Sequence, residues 1–154
     1  MNNPELNRGA GFDRTPQVVY HADLAAPAQE VWELIGPFDS LPRWHPLVAA
    51  CTSDRDKNGS VLRHIRLHDG TLIVNRETER DDSARYYSYD LVEGPLPVAF
   101  YRSTLRILAR GDKGCTLDWS SVFDPGSASE NEVKRRVESL IGPGVDSLKR
   151  RFGQ

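Results

Sequence analysis

The spacing of apolar residues changes several times along the chain, and each change marks an element. From Gln17 to Leu24, "QVVYHADL" has the β-branched and aromatic enrichment of a strand. In "APAQEVWELIGPF" the spacing becomes helical: Val31, Leu34 and Ile35 form a stripe, Pro27 sits near the first turn, and Gly36-Pro37 ends it. "FDSLPRW" predicts a second short helix. Pro46 stops it, because the residue before a proline is driven out of the helical region.

The pattern then turns β-rich. Strands are predicted over "LVAACTSD", "SVLRHIRLH", "TLIVNRETE", "RYYSYDLV", "VAFYRSTLRILA" and "CTLDWSSVFDP". Turn signals separate them at Asn58-Gly59, Asp69-Gly70, Asp81-Asp82-Ser83, "EGPLP" (93–97) and Gly111-Asp112-Lys113-Gly114. In "SVLRHIRLH", Val61, Ile65 and Leu67 share one face, and His64, Arg66 and His68 the other. The last segment, Ser129 to Phe152, is helical. Ser127 or Ser129 can cap it, acidic residues come early and basic ones late, and Val133, Val137, Leu140, Ile141, Val145, Leu148 and Phe152 form its stripe. Gly142-Pro143-Gly144 in its middle predicts a bend.

The predicted class is α+β: about seven antiparallel strands, two short helices between strands 1 and 2, and a long C-terminal helix. An antiparallel sheet must cover its apolar face. A strongly curved sheet wrapped around one helix leaves a concave, mostly apolar space, the setting a small-molecule site requires. Residues 1–14 read as a flexible tail and 15–154 as one domain. "GAG" in the tail is not a phosphate loop, since no strand precedes it.

Composition narrows the function. A formal net charge of −2 over 154 residues argues against a nucleic-acid binder. No apolar run approaches the ~20 residues of a membrane span. Two cysteines and a polar N-terminus suggest a reduced, cytoplasmic protein. The spacing of His, Cys, Asp and Glu suggests no metal site, and the lack of a glycine-rich nucleotide loop suggests no cofactor.

Several residues are candidates for chemistry. Trp44 and His45 stand where the helical passage meets the sheet, as a core plug or as part of a cavity mouth. Tyr87, Tyr89 and Leu91 share a face, as do Tyr101, Ser103, Leu105 and Ile107. Buried tyrosine hydroxyls need partners, which a ligand could supply. Ile65, Leu67, Leu96, Val137 and Ile141 would complete an apolar wall. Asp118 lies between Leu117 and Trp119. Facing inward it would be a buried carboxylate with a raised pKa; facing outward it would be solvated, as the alternation favours. His45, Tyr101 and Asp118 are the candidates for moving a proton.

The element order resembles the helix-grip proteins: the birch-pollen allergen group, START domains, bacterial polyketide cyclase/dehydrase-like proteins and plant abscisic acid receptors. The resemblance covers about residues 16–153. It rests on "APAQEVWELIGPFDSLPRWHPLV", "HDG", "YSYDLVEGPLPVAFYRSTL", "LDWSSVFDP" and "GVDSLKRRF", and is strongest to the polyketide-cyclase-like proteins. It implies pocket roles for Tyr89, Tyr101 and Ser103, an inward Asp118, and gate and latch positions for loops 68–70 and 93–97. It does not imply a hormone pocket: Ala49 stands where the receptors have a lysine, Asn75 where they have a glutamate, and the gate loop is shorter. Three functions are expected in turn: binding of a small hydrophobic molecule that is polyketide-, aromatic- or lipid-like; a cyclase, aromatase or dehydratase; or a ligand-gated interaction module acting through Leu96. A homodimer is compatible with all three.

Overall fold

The computed structural model describes residues 15–153; the tail expected over residues 1–14 lies outside them. The order is β1 (Val18–Leu24), α1 (Ala28–Ile35), a 3₁₀ turn (Leu41–Arg43), β2 (Val48–Arg55), β3 (Val61–Leu67), β4 (Leu72–Asp81), β5 (Tyr86–Glu93), β6 (Phe100–Arg110), β7 (Gly114–Asp124) and α2 (Glu130–Phe152). The seven strands form one antiparallel sheet in the order β1-β7-β6-β5-β4-β3-β2. The sheet is not closed, and β1 and β2 are its edges. This is the expected helix-grip architecture.

Alternation decides which face turns in. Tyr101, Ser103, Leu105 and Ile107 of β6 are buried, and so are Cys115, Leu117, Trp119, Ser121 and Phe123 of β7. Register shifts interrupt β2 between Val48 and Ala50, and β4 on either side of Asn75–Glu77. Such irregularities bend a strand and raise its twist, which curves this half of the sheet.

α2 lays Val133, Val137, Ile141, Val145 and Leu148 into that curve. Ser129 caps it, accepting a hydrogen bond from Glu132 N at 3.0 Å. The helix continues through Pro143 to Phe152. The corner before β2 is pinned by backbone: Trp44 N and His45 N both donate to Leu41 O, at 3.1 and 2.8 Å, and Val48 N donates to His45 O at 3.1 Å. Among the described residues, no helix is long and apolar enough to cross a membrane.

Candidate functional site

The sheet, α2 and the 41–48 corner enclose a cavity of about 80 Å³. Its inner wall comes from Ile65 and Leu67 of β3, Ile73 and Asn75 of β4, Tyr89 of β5, Tyr101 of β6 and Trp119 of β7. Leu47, Leu91, Leu96 and Leu140, which are only partly buried, and the exposed Pro95 also line it, so they form its mouth. The mouth is therefore aliphatic. The polar groups lie on the inner wall.

The dominant polar group is Arg63, which is 1% exposed and lines the cavity from β3. Its Nε donates to Asn75 Oδ1 at 2.9 Å, and its Nη1 to Phe38 O at 2.9 Å and Tyr87 Oη at 3.2 Å. The guanidinium carbon stands 4.2 Å from the Phe38 ring centroid and 4.5 Å from that of Tyr89, within cation–π range. Among the described residues no carboxylate forms an ion pair with it. Burial opposes its charge, but the Tyr87 and Tyr89 hydroxyls outweigh that effect and hold its pKa above the ordinary value. Burial also pushes the Tyr87 hydroxyl up, so Tyr87 is a neutral phenol at physiological pH. The cavity thus holds a permanent positive charge with no protein counter-ion among the described residues.

His45 is committed on both sides of its ring. Nδ1 accepts from Leu47 N at 3.3 Å, so Nε2 carries the proton and donates to Leu140 O of α2 at 2.8 Å. Burial pushes its pKa down to about 4; the bond to Leu140 opposes this and the Arg63 charge reinforces it. The helix makes room here with Gly144. A Cβ at that position would lie 2.7 Å from His45 Cδ2 and 3.2 Å from Trp44 Cζ3. Trp44 itself is buried, packs 5.8 Å from Trp119 ring to ring, and donates from Nε1 to Ser40 Oγ at 3.2 Å.

A hydroxyl chain runs behind the β6–β7 wall. Ser103 Oγ donates to Ser120 O at 2.9 Å, which leaves it accepting from Ser121 Oγ at 3.2 Å and Trp119 Nε1 at 3.0 Å. Ser121 has spent its proton on Ser103. The 2.8 Å contact between Tyr101 Oη and Ser121 Oγ is therefore donated by Tyr101. Burial raises the Tyr101 pKa strongly, so the phenol is a poor proton source. Burial likewise pushes the Cys51 thiol up to about 11, so it is not a thiolate at neutral pH. Among the described residues no group of three His, Cys, Asp or Glu side chains could hold a metal.

The expected site residues divide accordingly. His45, Ile65, Leu67, Tyr89, Leu96, Tyr101 and Ile141 line the cavity. Trp44, Tyr87, Ser103 and Val137 are buried but stand off its surface: Trp44 packs on Trp119, Tyr87 supports Arg63, Ser103 bonds within the β6–β7 wall, and Val137 is fully buried in the core. For Asp118, expected on either face, the structure takes the one that alternation favours and not the inward one that the resemblance implies. The residue alternates with the inward Leu117 and Trp119, so it points outward, 3.9 Å from His21 Nδ1, and is no buried acid. Arg63 is what the sequence reading overlooked. It is two residues from both Val61 and Ile65, so strict alternation puts it on the inner face.

The abscisic acid receptor PYL7 of Arabidopsis thaliana is 26% identical over 132 residues, covering 81% of this chain. The chain spans 63% of that receptor's length. A solution structure from Thermobifida fusca is 35% identical with a TM-score of 0.72, covering 88% of this chain and 92% of that one. The protein XoxI of Bacillus cereus is 29% identical with a TM-score of 0.79, covering 88% and 94%. Residues 15–153 match the family described as polyketide cyclase / dehydrase and lipid transport. The chain belongs to that family, within the helix-grip superfamily that its sheet and C-terminal helix already indicate.

Proposed function

We propose that the protein binds a small, largely apolar molecule between its sheet and α2. The observation that carries this reading is an aliphatic mouth leading to an inner wall with fixed polar groups. Apolar surface supplies affinity in such a site, and a few polar groups set orientation. The family's description, which includes lipid transport, supports the same reading. At about 80 Å³ the hollow is smaller than the ~150 Å³ engineered cavity that takes up benzene. A ligand therefore occupies the mouth as well as the interior, with the Leu96 loop moving outward to admit it. That loop is tethered to α2 by the exposed Arg136, whose Nη1 donates to Pro95 O at 3.2 Å.

The geometry gives the cyclase or dehydratase reading less support. Asp118 is outside, both His45 nitrogens are bonded to backbone, and the Tyr101 proton is committed to Ser121. The test is titration with the neutral dye N-phenyl-1-naphthylamine, followed by fluorescence. Saturable uptake is expected, and it should be lost in Leu67→Phe, which fills the hollow. No saturable uptake of this dye by the folded protein, and no small molecule retained in native mass spectrometry, would overturn the reading.

A further inference from the structure

We propose that the occupant is an amphipathic carboxylic acid, its carboxylate held by Arg63 Nη2 and Asn75 Nδ2 and its apolar body lying in the aliphatic mouth. This rests on the binding reading above and gives the ligand a chemical class.

The argument begins with donors. A guanidinium has five N–H groups and no acceptor. Arg63 spends Nε on Asn75 and Nη1 on Phe38 O and Tyr87 Oη; its Nη2 has no hydrogen-bond acceptor among the described residues. Because arginine only donates, the Asn75 atom facing it must be the oxygen. That leaves Nδ2 as a second donor without an acceptor among the described residues. Arg63 and Asn75 sit opposite each other on β3 and β4, both line the cavity, and they are 1% and 4% exposed. Buried polar groups are almost always paired. Two adjacent donors left open in one cavity wall, one of them charged, make a prepared site for an anion.

Charge then selects the anion. The rings of Phe38 and Tyr89 ease the burial of the guanidinium without neutralising it. A monoanion cancels its single charge. A phosphate monoester, close to −2 at neutral pH, would leave a negative charge buried, which is unfavourable. The small interior suits a compact head group, while Leu47, Leu91, Leu96 and Leu140 suit a hydrocarbon body.

The experiment compares three ligands of equal chain length, octanoate, octan-1-ol and octyl phosphate, in displacing N-phenyl-1-naphthylamine at pH 7.5. Octanoate is expected to bind at least tenfold more tightly than either of the others. Arg63→Met should abolish the preference for octanoate over octanol, both measured on that variant, and Asn75→Ala should weaken octanoate several-fold. Octanol or octyl phosphate binding as tightly as octanoate, with the dye taken up normally, overturns the acid assignment alone. Failure of the dye and all three ligands overturns the binding reading with it. Circular dichroism reports whether Arg63→Met folds; if it does not, the three ligands on the unaltered protein still decide.

Discussion

Two arginines on opposite faces of the sheet have opposite surroundings. Arg102 of β6 lies on the outer face and grips Asp90 in a fork, Nε to Oδ1 and Nη2 to Oδ2, at 2.6 and 2.9 Å. Arg63 of β3 lies on the inner face with a carbonyl, a phenol and an amide oxygen for partners and, among the described residues, no carboxylate. Arg80 of β4, in register with the inward Tyr87 but outside the cavity lining, is likewise paired with carboxylates, those of Glu77 and Asp82. Water and nearby acids meet the needs of the outer charges. The inner charge is held in place by neutral groups and keeps part of its valence open. The difference teaches where to look for function: a charge in a binding site is one that the fold has positioned without neutralising.

The sharpest way to break this comparison is truncation. Arg63→Ala leaves Phe38 O, Asn75 Oδ1 and the Tyr87 hydroxyl short of a donor and opens a void. Urea unfolding should show a loss on the order of 3–5 kcal/mol. Arg63→Met keeps the stem and fills part of that void, and should lose less.

The second test uses His45, whose outer counterpart is the exposed His64, 3.0 Å from Asp54. In the folded protein His45 titrates at about 4, below the ordinary 6.5, so as pH falls the unfolded chain takes up its proton first. Stability from this group is complete above pH 6.5 and is lost progressively down to about pH 4. The gap is worth about 3 kcal/mol. His45→Gln should flatten that part of the stability–pH curve measured by denaturant unfolding.

Gly144→Ala gives a smaller effect. The added methyl presses on His45 and Trp44, where neither can retreat, and should lower stability by about 1–3 kcal/mol. Its readout is the thermal midpoint, with Gly142→Ala as the control, since there the nearest atom is the Tyr20 hydroxyl at 3.1 Å. Smallest of all is Arg102→Ala on the outer face, expected to cost about 1–2 kcal/mol, because it breaks the fork to the largely buried Asp90 while Arg76 stays 3.9 Å from that carboxylate. A loss from Arg102→Ala equal to that from Arg63→Ala would erase the distinction between the two faces.

Much of the fold was legible because its signals are local. Asn58-Gly59 and Asp69-Gly70 mark hairpins in any context, and Pro46 forbids the helix from continuing. The Val133–Leu148 stripe has one period that only a helix can bury. A serine cap at 127 or 129 and α2 as the cover of the sheet follow from the same kind of pattern, and the structure selects Ser129. The site was legible only in part. Alternation placed Ile65, Leu67, Tyr89 and Tyr101 on inward faces, and it favoured an outward Asp118 where the resemblance favoured an inward one. It could not distinguish a side chain on the cavity surface from one just behind it, which is why Tyr87, Ser103 and Val137 were grouped with the lining residues. Ala49 illustrates the same limit. Resemblance to the receptors noted a missing lysine there, while the cation this chain buries stands on β3.

The sequence by itself determined the elements, their order and the face each strand turns inward, because backbone sterics, turn chemistry and the periods of helix and strand act over a few residues. Tertiary structure alone decided how far the sheet and α2 stand apart, which nitrogen of His45 carries the proton, and which donors of Arg63 and Asn75 stay open. Those outcomes depend on groups from distant strands arriving within hydrogen-bonding distance, and no local pattern encodes that meeting.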